Sequence, residues 1–430
     1  ASAYHDVSRG ALHSESNIPF VAERMVPDAR ALKAAVAIPV IASGRIEPAA
    51  ADRHIRAGHF DFLAMGRKIL ADPDLPNKLQ AGRPETIRPC VYCYCCASQI
   101  YKVQAVKCAV NPETAYERER ALIATDSPRH IGVIGGGPAG MEVARRLALR
   151  GFRVSLFEAG PRLGGTLQFA SIAYQPNESL LHWLRREIRT SAVSVHLDTI
   201  ATPDLLRRLA VEEVVVATGA RRDMPSIPGS DQDFVFSGDE MRALVMGDPL
   251  PSLARKLPAA ARAAVKAAAV LGLTANPSLV RMGSRLWMPV PERIVIIGGE
   301  LVGLELAEFL AQRGRVVTVL ATSASVGEGL YVVRRLRLLE ELQHLGVALV
   351  REAGSIAIRP GGHVTYSNYR GQQRTVDADQ VIVATGARGD STTAQAFRES
   401  GLPVHTIGDC NGVGYIEGAM EAAAELAARL

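Results

Sequence analysis

The chain has 430 residues, of which 48% are hydrophobic and 22% are charged, and its formal net charge is +5. This is an ordinary globular composition, and the length allows roughly two to four domains. The basic residues are scattered and no run of about 18 uncharged apolar residues occurs. The sequence therefore argues against a nucleic-acid partner and against a segment that spans a membrane.

The first part of the chain alternates two kinds of segment. Apolar runs typical of short buried strands alternate with stretches of helical composition, which predicts parallel strands joined by helices. In chain order these are a helix at 26–36, a strand at 37–46, a helix at 48–58 and a strand at 60–70.

Each of the two predicted strands continues into a Gly-Arg pair, Gly44-Arg45 in the first and Gly66-Arg67 in the second. Backbone N–H groups and a guanidinium at the carboxyl ends of parallel strands commonly hold the phosphate of a flavin. One such dipeptide is a weak signal because it is common. Two of them at consecutive strand ends favour a phosphate site.

A cysteine-rich loop follows, with five of the six cysteines of the chain inside 25 residues. No secretory signal opens the sequence, so clustered cysteines predict metal ligation in a reducing compartment, the cytoplasm, rather than disulfides. Four of them, with two residues between neighbours and then eleven before the last, are typical of a [4Fe–4S] cluster. These are Cys90, Cys93, Cys96 and Cys108, which leaves Cys95 spare. Zinc is the alternative, although zinc ribbons usually present two paired motifs.

The segment 130–160 has the pattern strand, glycine-rich turn, helix, strand. In its turn, Gly135-x-Gly137-Pro138-Ala139-Gly140, the first glycine allows the tight turn, the second lets a pyrophosphate approach, and the third lets helix and strand pack closely. Glu158 stands 18 residues after Gly140, where an acid can bond a ribose hydroxyl. The turn predicts dinucleotide binding, and a Rossmann-like domain that binds nothing is the alternative.

The segment 293–323 repeats the same pattern, but Glu300 stands where the middle glycine should be. A carboxylate between Gly298 and Gly303 would crowd and repel a pyrophosphate. The second strand also ends without an acid for a ribose. Either this half is a degenerate structural domain, or Glu300 turns outward and NADH or NADPH still docks.

The two repeats are joined by an alanine-rich basic stretch at 252–273, which has high helix propensity. We predict a helix that packs against the protein. A face that binds a partner or a lipid surface is the alternative.

Residues 38–112 resemble the end of the flavin barrel in the trimethylamine dehydrogenase / 2,4-dienoyl-CoA reductase family. The matching pieces are "PVIASGRI", "MGRKILADPDLPNK", "AGRPETIRPC", the cysteines and "CAVNP". Residues 128–430 resemble the paired FAD- and NAD(P)-type domains of that family. The resemblance implies FMN in a (β/α)8 barrel with Arg45 and Arg67 at its phosphate, a [4Fe–4S] cluster and FAD, which together form an electron relay.

The resemblance also implies the place of further FAD contacts. Arg162 and Gly165 of "RLGG" stand where such two-domain reductases place an arginine and paired glycines. Asp409 ends a strand before a helix, where these enzymes hold the ribityl chain of the flavin. An ordinary helix N-cap is the alternative reading of Asp409.

The resemblance predicts an α/β fold made of the C-terminal remnant of a (β/α)8 flavin barrel, an iron–sulfur loop and two Rossmann-like domains. The predicted segments are the barrel piece at 1–88, the cluster loop at 89–112, a linker at 113–128, an FAD-binding domain at 129–228 and 376–430, a helical connector at 229–290 and an NAD(P)-type domain at 291–375.

Three departures limit the resemblance. If "YHDVSRG" is the sixth barrel strand, only about three of eight strands appear, so the catalytic residues are unknown. The spacing of the third ligand is that of the amine dehydrogenases, because a dienoyl-CoA reductase would need cysteine at Ala97. In the amine dehydrogenases the second domain binds no nicotinamide, which would agree with Glu300.

Three functional interpretations remain open. In the first, electrons pass from NAD(P)H through FAD and the cluster to FMN and then to an activated C=C bond of a small molecule; the retained "VATGAR" and Glu305 favour it. In the second, an amine dehydrogenase runs the relay outward to an electron-transfer flavoprotein. In the third, the chain is an electron-transfer subunit whose barrel is completed by a partner chain. The open edge of a barrel piece also predicts extensive dimer contact.

Overall fold

The structure is a computed structural model that describes residues 22–222, 224–248 and 250–430. The segment "YHDVSRG", which the sequence places in a barrel strand, lies outside the described residues. The described part is an α/β protein built on two five-stranded parallel sheets, with smaller sheets beside them.

The helices, in chain order, are α1 (Val26–Ala35), α2 (Pro48–Arg56), α3 (Arg67–Ala71), α4 (Leu75–Gln80), α5 (Cys95–Lys102), α6 (Pro138–Leu149), α7 (Thr166–Ala173), α8 (Asn177–Thr190), α9 (Pro203–Arg208), α10 (Gly238–Met246), α11 (Pro251–Lys256), α12 (Ala259–Val270), α13 (Pro277–Leu286), α14 (Leu301–Ala311), α15 (Val332–His344), α16 (Thr392–Glu399) and α17 (Tyr415–Arg429).

The strands are β1 (Ile41–Ala42), β2 (Phe62–Leu63), β3 (His130–Ile134), β4 (Arg153–Phe157), β5 (Ser194–His196), β6 (Glu213–Val216), β7 (Arg221–Arg222), β8 (Val235–Ser237), β9 (Arg293–Ile297), β10 (Val316–Leu320), β11 (Ala348–Val350), β12 (Gly354–Arg359), β13 (His363–Ser367), β14 (Gln373–Asp377), β15 (Gln380–Val383), β16 (Ala387–Arg388) and β17 (Val404–Thr406).

The N-terminal part has the predicted β-α rhythm. Strands β1 and β2 pair in parallel, with Ile41 opposite Phe62, and α1 and α2 lie where helices were predicted. The strands are much shorter than the apolar runs, because a two-stranded pair in the described residues supports only a short ladder. Ile41 and Phe62 are exposed, and among the described residues each of the two strands has one unpaired edge.

The first parallel sheet has the strand order β17-β6-β3-β4-β5. Its central strands are apolar and buried on both faces, as is usual where helices cover both sides of a sheet. Helix α6 leaves the end of β3 and packs against α17. Val91 and Val110 of the cysteine loop belong to the same hydrophobic core, so the loop is folded onto this domain.

The second parallel sheet has the order β11-β10-β9-β15-β8 and carries the antiparallel sheet β12-β13-β14. This pairing differs from the predicted domain boundaries, which put β15 in the FAD-binding domain and β8 in the helical connector. Strand β15 pairs with β9 and repeats the position of β6 beside β3 in the first sheet. The internal repeat therefore includes the strand that ends in Ala-Thr-Gly.

The connector consists of α11, α12 and α13. Within α12, Ala261 is buried and Val265 packs against the core of the second domain. A β-carbon on Gly247 would lie 2.7 Å from that of Ala269, so one side of this helix packs against the protein, as the sequence predicts. None of the helices in the described part of the chain combines the length and the apolar character that crossing a bilayer requires.

Candidate functional site

The first glycine-rich turn, between β3 and α6, has the geometry that its three glycines predict. Gly135 has φ +108°, and a β-carbon there would lie 2.4 Å from the carbonyl oxygen of Ala217. A β-carbon at Gly140 would lie 1.9 Å from the carbonyl oxygen of Gly135, so helix and strand are in direct backbone contact. At Gly137 no protein atom lies within 4 Å of that position. The open side of the turn is thus at Gly137, where a pyrophosphate is expected.

Other residues predicted to bind FAD gather around this turn. Glu158 accepts hydrogen bonds from the N–H groups of Gly136 and Gly160, both at 2.8 Å. A β-carbon built on Gly165, which has φ +49°, would lie 3.1 Å from the Cα of Gly137. The turn before the last helix brings Asp409 near the N-terminus of α6, the end formed by Pro138 and Ala139, because a β-carbon on Gly408 would lie 2.8 Å from that of Ala139.

Arg162 has a different set of partners. Its guanidinium lies 2.7 Å from a carboxylate oxygen of Asp248 and donates to the carbonyl oxygen of Met246 at 3.2 Å. Met246 ends α10 of the second domain, and Asp248 follows two residues later. In this structure Arg162 therefore ties the two domains together, and its role at the flavin stays a prediction.

The two Gly-Arg arginines meet at the tyrosines of the cysteine loop. The guanidinium of Arg45 lies 3.9 Å from the ring centre of Tyr92, and that of Arg67 lies 4.6 Å from the ring centre of Tyr94. Nη1 of Arg67 is buried and has no hydrogen-bond partner in the described residues. A buried, unsatisfied guanidinium nitrogen fits a site for an anion such as a phosphate.

The cysteine side chains gather in one loop against the first domain. Backbone N–H groups point at three of the sulfurs: that of Cys95 lies 3.5 Å from Sγ of Cys93, that of Ala97 bonds Cys96, and those of Val110 and Asn111 bond Cys108. Such N–H···S bonds stabilise thiolates that hold iron–sulfur clusters. Burial raises the pKa of the Cys108 thiol to about 11, and these backbone donors oppose it.

The positions of the cysteine side chains are relevant to the choice between zinc and an iron–sulfur cluster. Among the described residues, no three His, Cys, Asp or Glu side chains lie as close together as the ligands of one metal ion do. A single zinc ion draws its four ligands to one centre, whereas a cubane cluster places four iron atoms between its cysteines. The choice of a cluster rather than zinc therefore stays a prediction.

Cys95 and Cys96 have different charged neighbours. Arg67 and Cys90 act on Cys96, whereas the Glu417 carboxylate and the Lys107 ammonium act on Cys95. Cys95 also lies near Cys108, so position alone does not separate the two cysteines. The charges differ, because Arg67 favours a thiolate at Cys96, whereas at Cys95 the Glu417 carboxylate opposes a thiolate and pairs with Lys107.

Arg88 joins the cysteine loop to the helix of the first turn. Its guanidinium lies 3.4 Å from the Glu142 carboxylate of α6 and donates to the carbonyl of Val110 at 2.8 Å. It also stacks on Trp183, at 4.5 Å from the ring centre. Arg145 completes the ion cluster at 2.9 Å from Glu142. Burial would raise the pKa of Glu142, but the surrounding arginines lower it to about 2.

Replacing Glu142 with glutamine should cost about 3–5 kcal/mol of stability, because it leaves the buried arginines without their carboxylate. The wild-type stabilisation should be present above pH 4.5 and be lost as the pH falls from 4.5 to about 2, since the native pKa lies below the ordinary value. Urea denaturation at several pH values measures both the stability lost in the variant and the pH dependence of the wild-type stability. Asp204→Asn, which removes an exposed ion pair with Arg207, is the control and should change stability by less than about 1 kcal/mol. Equal effects of the two substitutions would contradict this account.

The second glycine-rich turn is closed by a neighbouring loop. Glu300 is exposed and stands at the N-cap position of α14, where its side chain makes no capping hydrogen bond. The N–H of Leu301, the first of that helix, donates to the carbonyl of Glu328 at 2.9 Å. The loop is held in place by Tyr415, whose ring would be 2.5 Å from a β-carbon on Gly329. Around Gly298 and Gly303 the turn itself is well formed, with the same close contact of helix and strand as in the first domain.

Glu305, on the same helix, is deeply buried. Burial raises its pKa to about 7, which Arg334 opposes from 3.5 Å. Arg334 in turn lies 4.6 Å from the ring centre of Tyr174, whose hydroxyl donates to the carbonyl of Tyr92 at 3.1 Å. These contacts connect the second domain to the cysteine loop.

Sequence reasoning did not identify Arg88, Glu142 or Tyr174. One signal was available: Glu142 stands two residues after Gly140, in the first two turns of α6, where its neighbours in the sequence are small or apolar. A charged residue in such a segment predicts a buried partner. Nothing in the sequence indicates that the partner is Arg88.

Two family models match the sequence. The pyridine nucleotide-disulphide oxidoreductase model matches residues 129–411. The NADH:flavin oxidoreductase / NADH oxidase model matches residues 4–86. The cysteine loop lies between the two matched ranges.

Several known proteins are similar to the chain. Bilirubin reductase of Mediterraneibacter gnavus is 32% identical over 88% of this chain and 53% of its own length. N,N-dimethylglycine/sarcosine dehydrogenase of Chromohalobacter salexigens is 27% identical over 89% and 52%. A structure of 2-naphthoyl-CoA reductase has a TM-score of 0.80 and 25% identity over 95% of this chain and 57% of that one. The chain thus spans about half the length of the curated relatives that it matches.

Proposed function

The chain belongs to the pyridine nucleotide-disulphide oxidoreductase family, and we propose that it relays electrons in an NAD(P)H-dependent flavin reductase. An NADH:flavin oxidoreductase segment precedes the matched domain. This combination is that of the trimethylamine dehydrogenase / 2,4-dienoyl-CoA reductase family. The reducing equivalents would pass from nicotinamide by way of FAD and a [4Fe–4S] cluster to FMN, and then to an activated C=C bond of a small molecule.

One observation carries the proposal: the cysteine loop contacts both places where a flavin is expected. On one side Arg88 binds Glu142, which stands on the helix that begins at the first glycine-rich turn. On the other side Tyr92 and Tyr94 lie against Arg45 and Arg67. A group held in this loop would lie between the two flavins.

The residues fit the groups that the proposal requires. Cys90, Cys93, Cys96 and Cys108 would hold the cluster, with backbone N–H groups directed at three of the four sulfurs. A [4Fe–4S] cluster supplies one-electron transfer, which lets two carriers of electron pairs exchange electrons stepwise. The protein's part is to exclude water and to hold Arg67 beside Cys90 and Cys96, where its positive charge favours the reduced form.

Anaerobic addition of NADH or NADPH to the purified protein tests the direction of electron flow. The proposal predicts bleaching of the flavin absorbance near 450 nm by at least one of them. Glu300→Gly should raise the affinity for that nucleotide by roughly tenfold, since it removes a carboxylate from the pyrophosphate position. Glu292→Gly, an exposed change before β9, should leave the affinity unchanged. If neither nucleotide bleaches the flavin, the reductase is refuted.

Two observations favour a second candidate, an amine dehydrogenase that passes electrons outward to an electron-transfer flavoprotein. They are the spacing of Cys93 and Cys96, and Glu300 at the place of the middle glycine of the second turn. In this case a methylated amine, and not a nicotinamide, would bleach the flavin of the whole protein.

A further inference from the structure

Helix α13 of the connector is fixed by polar contacts on its inner side. Arg281 donates to the carbonyl of Ser171 at 2.6 Å and pairs with Glu178, which also accepts from the Ser278 hydroxyl at 2.8 Å. One turn later, Ser284 accepts from Arg313 at 2.9 Å. These contacts determine which side of α13 faces the protein.

The opposite side of α13 is apolar and open to solvent. Leu279, Met282 and Leu286 recur at helical spacing, and Trp287 follows at the end of the helix. Leu286 is 88% exposed, Met282 62% and Trp287 54%. We call these four residues the outer face of α13. An ordinary surface helix turns its apolar side inward, so the orientation of α13 predicts a partner that covers the outer face.

The connector that carries the outer face is rich in positive charge. Residues 249–291 contain six lysine or arginine residues and no aspartate or glutamate. Lys256 and Arg281 have carboxylate partners. The other four are exposed and pair with no carboxylate in the described part of the chain: Arg255, Arg262, Lys266 and Arg285.

We propose that the outer face of α13 binds the surface of an anionic lipid bilayer and attaches the protein there without a spanning helix. Projecting aliphatic side chains need no complementary groove in a bilayer, and tryptophan and arginine at a helix end suit the headgroup layer. A second copy fits less well, since a two-fold contact would bring the same basic surface against itself.

The two tryptophans of the chain provide a direct measurement. Trp183 is only 6% exposed, so a change in emission on binding should report Trp287. Vesicles of phosphatidylcholine with phosphatidylglycerol should shift the emission of the full chain to shorter wavelength and should carry the protein in flotation. Pure phosphatidylcholine vesicles should not, and high salt should release the protein. Trp287→Phe should remove the shift.

Met282→Glu with Leu286→Glu should weaken vesicle binding by at least roughly tenfold, whereas Ile200→Glu, an equally exposed apolar site on the first domain, should bind like the wild type. Any of three results would overturn the proposal: no binding to anionic vesicles, equal binding by the double variant, or an equal emission shift with soluble polyglutamate. A dimer that the double variant disrupts would also overturn it, because the face would then belong to a subunit contact.

Discussion

Cys96→Ser should abolish the visible absorbance of the iron–sulfur cluster, and Cys95→Ser should preserve it. Successive residues of a helix point about 100° apart, so only one of the pair can face Cys90. Cys96 has Arg67 and a backbone N–H beside its sulfur, which stabilise a thiolate. At Cys95 the carboxylate of Glu417 opposes a thiolate, and the nearby Lys107 is paired with that carboxylate. The iron content should fall from about four atoms per chain to near zero in the first variant only.

Cys410→Ser is the matched control, because this cysteine lies in the first domain and outside the loop. It should leave the iron content unchanged after anaerobic reconstitution. The opposite pattern, with iron lost in Cys95→Ser and kept in Cys96→Ser, would show that Cys95 is the third ligand. Loss in neither variant would mean that the loop holds its metal in another way.

Gly140→Ala and Gly137→Ala should have different consequences, although both change the same turn. A methyl group at Gly140 would overlap the carbonyl oxygen of Gly135 at 1.9 Å, so the variant should lose about 1–3 kcal/mol of stability and its FAD. A methyl group at Gly137 meets no protein atom. That variant should keep its stability and lose roughly tenfold or more of its FAD affinity, because the methyl group occupies the pyrophosphate side.

Urea denaturation and the ratio of FAD to protein separate these outcomes. Gly283→Ala, in open space inside α13, should leave FAD binding unchanged and should raise stability by at most about 1 kcal/mol, through helix propensity. Unchanged FAD binding by Gly137→Ala would show that the dinucleotide does not approach this turn. Equal loss of stability in both glycine variants would contradict the packing described around Gly140.

The sequence predicts those parts of the structure that depend on local pattern. The two turns follow from glycines at fixed spacing after apolar strands, and the parallel order of β1 and β2 follows from alternation with helices. The family resemblance, which is confirmed, adds the combination of a flavin-barrel segment with two Rossmann-like domains. Residue roles at the cofactors stay predictions.

Contacts between distant segments could not be predicted in this way. Arg88 and Glu142 are 54 positions apart, and neither shows in its neighbourhood which residue it will meet. The hydrogen bond from the Leu301 N–H to the Glu328 carbonyl depends on a distant loop that folds against the turn. The turn motif does not predict that contact. The outward orientation of α13 depends on Glu178 in another domain, which the sequence of the helix itself does not indicate.

Anaerobic photoreduction of the purified wild-type protein tests the central claim, that this chain passes electrons between a flavin and a [4Fe–4S] cluster. Flavin absorbance and low-temperature electron paramagnetic resonance are recorded on the same samples. The account predicts that the flavin bleaches and that a reduced-cluster signal of about one spin per chain appears with it. Complete bleaching of the flavin with no iron–sulfur signal would contradict the account.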